Sequence, residues 1–217
     1  MSIHTSALHR VWDLPTRIGH WLMALLVAVS WGTAEYHQME YHRYSGYALL
    51  GLVVFRLYWG FAGSSTARFA RFVRGPRQTW AYLRASAGAG PIGPGHNPLG
   101  AWSVVALLTL LAVMIGLGLF AVDVDGIESG PLSPCVSFAT GRACAEWHHR
   151  VFNLLLAFIA LHLAAVLYHW LRRGRNLIAA MVHGKAAIAP GEAVEPAGVA
   201  RFVVGVALAA LVVWCVV

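Results

Sequence analysis

The chain has 217 residues, 59% of them hydrophobic and only 12% charged, with a mean hydropathy of +0.63. That balance excludes a soluble globular domain and fits a protein that crosses a membrane several times. The net charge of +7 is clustered in two loops and reads as a topology signal rather than a nucleic-acid interface.

Five segments are long and apolar enough to span a bilayer, at about 18–36, 44–62, 99–121, 148–171 and 199–217. The first carries Arg17 and His20 near its start and lacks a small-residue cleavage site before Glu35, so it reads as a retained span and not a signal peptide. His37 and His42 share the short loop before the second span. Gly46, four residues after His42 on the same helical face, favours His42 as the functional one of the two, since a missing side chain leaves room for a bulky group to approach. Arg56 lies mid-span, fourteen residues after His42. It calls for an anionic counter-ion such as a cofactor carboxylate, or it snorkels to the headgroups; both readings stand.

Between spans two and three run Arg68, Arg71, Arg74, Arg77 and Arg84 without an acidic residue, interleaved with Phe69, Phe72, Trp80 and Tyr82. This stretch reads as a segment along the inner membrane surface, with Gly88–Gly95 a flexible connector after it. Asn97 and Pro98 form an N-cap and first-turn pair for span three. The next loop holds Asp123, Asp125, Glu128 and Glu146, with Cys135 and Cys144 placed for a disulfide or left as thiols. Span four is followed by Arg172, Arg173, Arg175 and Lys185. The positive-inside rule therefore puts the N-terminus and the arginine loop in the cytoplasm, and the acidic loop and the C-terminus outside.

Span four carries the most informative spacing. His148 and His162 are fourteen residues apart, nearly the same azimuth on a helix and about 21 Å along its axis. His149 is turned about 140° from His162 and is the weaker choice, though it stays open as an alternative. His169, one heptad past His162, is a second alternative that depth and register disfavour. With topology assigned, His42 matches His148 in depth on the outer side, and His20 matches His162 on the inner side. Two histidines from opposite helices at each of two depths are what two bis-histidine haems in a four-helix bundle require. A protein-only zinc site fits poorly, since no further ligand joins either pair. With no CxxCH present, the haems are non-covalent.

WDLPTRIGHWLMALL around His20, HRYSG around His42, FRLYWGFAGSSTARFARFVRGP, GHNPLG, and HHRVFNLLLAFIALHLAAVLYHW together resemble the bacterial cytochrome b561 family, which includes the b-type cytochrome subunits of NiFe-hydrogenases. The resemblance runs from about residue 8 to 185 and implies axial ligands at His20, His42, His148 and His162. It departs at His149, where relatives often carry an acidic residue, and span five lies beyond it. It also implies that the GHNPLG turn lies beside the inner haem, near a quinone. Asn97, His169 and Arg172 are then candidates to meet that quinone, with Arg17 also placed to neutralise propionates.

The expected protein is all-α: an integral membrane four-helix haem-binding bundle over residues 1–185, then a linker and extra C-terminal transmembrane helix over 186–217. It would hold two haem b groups and move electrons between a periplasmic partner, a c-type cytochrome or an oxidoreductase, and the quinone pool. Apart from a quinone step, no residue is expected to do bond-breaking catalysis. The alternatives are a superoxide oxidase feeding quinone, or a histidine-lined proton or metal transporter. Neither inverted repeats nor a polar substrate lining favours transport.

Overall fold

The structure is a computed structural model that describes residues 8–84, 97–125, 128–187 and 194–217. His4, His96 and the Gly88–Gly95 connector lie outside those residues. A short strand, β1 (Leu8–Arg10), precedes α1 (Leu14–Glu35). α1 starts ahead of the expected span because a cap sets its boundary: the Asp13 carboxylate accepts from the Thr16 N–H at 2.8 Å, and a proline occupies the first turn. It ends in a tight turn at His37, whose φ of 54° is left-handed. α2 (Met39–Ala62) follows at once. His42 is therefore inside the second helix, not in the loop with His37, and this separates the two candidates.

The arginine-rich stretch forms two short helices, α3 (Phe69–Phe72) and α4 (Pro76–Arg84). Trp102 Nε1 donates to the Arg74 carbonyl and to Thr79 Oγ1, each at 3.2 Å, and so pins α4 to the start of α5 (Pro98–Phe120). Asn97 caps α5, accepting from the Gly100 N–H at 2.6 Å. After a 3-10 turn at Ser133–Cys135 comes α6 (Phe138–Arg173), 36 residues and about 54 Å long. Its cap, Ser137, stands eleven residues before the start of the expected span, so His148 sits in the third turn of the helix and does not open it. Gly174, at a left-handed φ of 62°, ends it. α7 (Leu177–His183), β2 (Lys185–Ala187) and α8 (Val199–Val216) complete the chain. β2 pairs antiparallel with β1, Leu8 opposite Ala187.

α1 and α2 form one antiparallel hairpin and α5 and α6 another. Leu49 and Val53 of α2, Leu111, Met114 and Ile115 of α5, and Leu155 of α6 form the buried centre of the resulting bundle. α8 lies outside it, along α2. Phe202 packs edge-on to Phe55 and Trp59, an added Cβ at Gly205 would meet the Tyr58 ring at 2.7 Å, and Val213 abuts Gly51. These contacts run antiparallel, so the C-terminus lies at the His42 end. Among the described residues α2, α5, α6 and α8 are long and apolar enough to cross a membrane. α1 is not one of these four; its uncharged run, 18–34, is bounded by Arg17 and Glu35. Cys135, Cys144 and Cys215 are all free thiols.

The arginine end is closed by Asp13 and the strand pair. While Asp13 Oδ1 caps α1, Oδ2 accepts from Trp59 Nε1 at 2.8 Å, and Thr66 Oγ1 donates to the Val11 carbonyl at 2.7 Å. Asp13→Ala removes a cap and an inter-helix bond at once and should cost about 1–3 kcal/mol. Asp13→Asn keeps an acceptor for the cap and should fall between it and the parent in thermal midpoint. Equal midpoints for all three chains would refute this role.

Candidate functional site

Three helices bring four histidines together in two pairs at two depths. His42 of α2 faces His148 of α6 with ring centroids 6.1 Å apart and planes at 80°. His20 of α1 faces His162 of α6 at 6.4 Å and 51°. Two metal–nitrogen bonds of about 2 Å, and about 1 Å from nitrogen to ring centre on each side, put two imidazoles about 6 Å apart across one metal. Among the described residues neither pair belongs to a group of three or more His, Cys, Asp or Glu. The donor sets thus fit a metal that brings its own equatorial ligands, as haem iron does.

The His42–His148 pair is oriented by main chain. His42 Nδ1 lies 2.9 Å from the Ser30 carbonyl and 3.2 Å from Ser30 Oγ, and His148 Nδ1 lies 2.8 Å from the Met114 carbonyl. A carbonyl only accepts, so each Nδ1 carries the proton and each Nε2 keeps a lone pair for a metal. A cavity of about 240 Å³ opens beside this pair, lined among others by Ser30, Gly46, Met114 and Gly118. Gly46 has no heavy atom within 4 Å of where a Cβ would stand, which leaves open space on the face of His42. Gly118 is needed for a different reason: an added Cβ would lie 2.9 Å from His148 Cε1. His149 reaches the cavity rim but is exposed.

At the other end, Asn97 Nδ2 is 3.3 Å from His169 Nε2, so the structure joins those two candidates. It does not gather all of the expected set. Arg17 Nη2 donates to the Val182 carbonyl at 2.5 Å, towards α7, and Arg172 is exposed. Arg56 is 7% exposed; its Nη1 donates to the Ala67 carbonyl at 3.5 Å and its guanidinium stands 5.1 Å over the Phe69 ring. Both arginines thus have protein partners at the arginine end of the bundle. Ser30, Met114 and Gly118 escaped sequence reasoning. A glycine within the apolar GLGLF run hinted at the third, but Ser30 and Met114 act through carbonyls, which residue type does not reveal.

The family model described as prokaryotic cytochrome b561 matches residues 11–184. Among curated proteins, the chain is similar to two named probable Ni/Fe-hydrogenase B-type cytochrome subunit. The one from Azotobacter chroococcum mcd 1 is 24% identical over 208 residues, covering 80% of this chain and 86% of that protein. The one from Azotobacter vinelandii is 25% identical over 216 residues, with the same coverage. No solved structure matches.

Proposed function

The chain belongs to the prokaryotic cytochrome b561 family, and from that premise we propose that it is a two-haem relay across the bacterial inner membrane. It is a multi-pass membrane b-type cytochrome of electron transfer. In the proposed relay His20 and His162 hold one haem b, and His42 and His148 hold the other. α1 then spans together with the four more apolar helices, the arginine loop faces the cytoplasm, and the C-terminus faces the periplasm. The observation that carries the reading is the pair of ring separations, 6.1 and 6.4 Å, at sites fourteen residues apart along one helix.

When bound, haem iron supplies reversible one-electron chemistry. The chain supplies the rest. Imidazoles from facing helices fix each site, the Ser30 and Met114 carbonyls set the ring tautomers at one of them, and the apolar centre around Leu49, Leu111 and Leu155 keeps water from between the two. The outer partner is a periplasmic redox protein. The names of the two relatives support an oxidoreductase of the hydrogenase kind over a c-type cytochrome. A visible spectrum of the purified chain tests the class: a low-spin b-type spectrum on reduction is expected, and its absence from haem-supplemented preparations would overturn the reading.

The Asn97–His169 contact supports quinone exchange at the inner end. An amide and an imidazole side by side suit hydrogen bonding to a quinone carbonyl and to the anion that develops on it. Asn97→Ala should keep both haem spectra and slow haem reduction by quinol several-fold. Asn97→Ser, which preserves the helix cap, should be equally slow. Normal quinol kinetics in both variants would place the quinone elsewhere.

A further inference from the structure

We propose that the groove between the start of α1 and α7 binds an anionic phospholipid of the leaflet at the arginine end of the bundle. The inference rests on the chain crossing a membrane and not on the haem assignment. The groove measures about 530 Å³, with Arg17 at its mouth and walls of Ile18, Trp21, Leu22 and Leu25 from α1 and Met181 and Val182 from α7. All four α1 side chains are exposed. From Ile18 to Leu25 the wall runs about 10.5 Å along the helix, roughly two thirds of one hydrocarbon leaflet. It also lies apart from the histidine sites: Ile18, Leu22 and Leu25 are turned about 140–160° from His20. Trp21 stands between, its ring edge-on to that of His20 at 5.1 Å, and is of the type that collects at headgroup level.

The mouth carries cations without counter-charge. Arg17 Nη2 donates to the Val182 carbonyl, a neutral acceptor, and the buried Nε has no hydrogen-bond partner among the described residues. Gly184, at a left-handed φ of 76°, makes room for this guanidinium, since an added Cβ would meet Nη1 at 2.7 Å. Beside it Arg10 and Lys185 are register partners in the β1–β2 pair, both exposed on one face of it. Asp13 is the nearest acid in sequence, but its two oxygens are taken by Thr16 and Trp59. Among the described residues the ion pairs are Arg68–Glu195 and Arg150–Glu146, so none of these three cations has a carboxylate partner. A lipid phosphate supplies the missing anion while its acyl chain covers the apolar wall. A neutral quinone would leave the cations uncompensated, and a second copy docked here symmetrically would set them against their own images.

Native mass spectrometry of the purified full-length chain, from mixed micelles holding equal phosphatidylglycerol and phosphatidylcholine, tests the site. The parent should retain phosphatidylglycerol in preference. Arg17→Gln should lower that preference about fivefold, the effect of one cation near an anionic headgroup, and Arg17→Lys should keep most of it. Leu22→Trp fills the groove and leaves the cations in place. It should lower lipid retention several-fold with the reduced haem spectrum unchanged, and it keeps the test readable where Arg17→Gln folds poorly. Equal retention of the two lipids by the parent, or undiminished phosphatidylglycerol retention in Leu22→Trp, would overturn the site. Displacement of the bound lipid by a short-chain ubiquinone would overturn it in favour of a quinone. The haem reading fails separately, through the spectrum alone.

Discussion

His148→Ala should remove the outer haem and leave the inner one, halving haem content per chain, whereas His149→Ala should leave both bound. Adjacent residues on a helix point about 100° apart, so only one of these neighbours can share a face with His162. The ring of His148 stands 6.1 Å from that of His42 and is anchored on the Met114 carbonyl, while His149 is exposed at the cavity rim. Haem content and the reduced spectrum of the two variants check this. Loss of a haem in His149→Ala with none lost in His148→Ala would reverse the ligand assignment.

The second large effect belongs to the inner site. His20→Ala or His162→Ala should each eliminate the inner haem and abolish electron passage between quinol and an outer acceptor, since the remaining haem lies one storey away, about 21 Å along the helix. His169→Ala should keep both haems, because its ring is paired with Asn97 and not with His20. The contrast is read by comparing haem spectra with quinol-driven reduction in proteoliposomes. A His169→Ala chain that loses the inner haem, beside a His162→Ala chain that keeps it, would move the ligand by one heptad.

The two histidine pairs were legible in the sequence because helical phase and depth are properties of spacing. His20, His42, His148 and His162 meet as phase and positive-inside topology imply. Element boundaries were less legible, since capping side chains and not apolar runs set them. Asp13 starts α1 early, and Ser137 begins α6 in a polar stretch through Arg142 and Glu146 that a hydropathy window ignores. The β1–β2 pairing is a contact between residues near opposite ends of the chain and has no local signature. Arg56 was the harder case. Its phase relative to His42 suggested a cofactor-facing side chain or a snorkelling one, and its reach carries it to the Ala67 carbonyl and to the Phe69 ring at the start of α3. Long flexible cations are placed by whichever acceptor they reach, not by the azimuth of their Cα.

The most direct measurement of the central claim is a pyridine haemochrome assay on the fully loaded, purified chain, with protein quantified by amino-acid analysis. Two haem b per polypeptide is the result the paired histidines predict; one haem per polypeptide would contradict it.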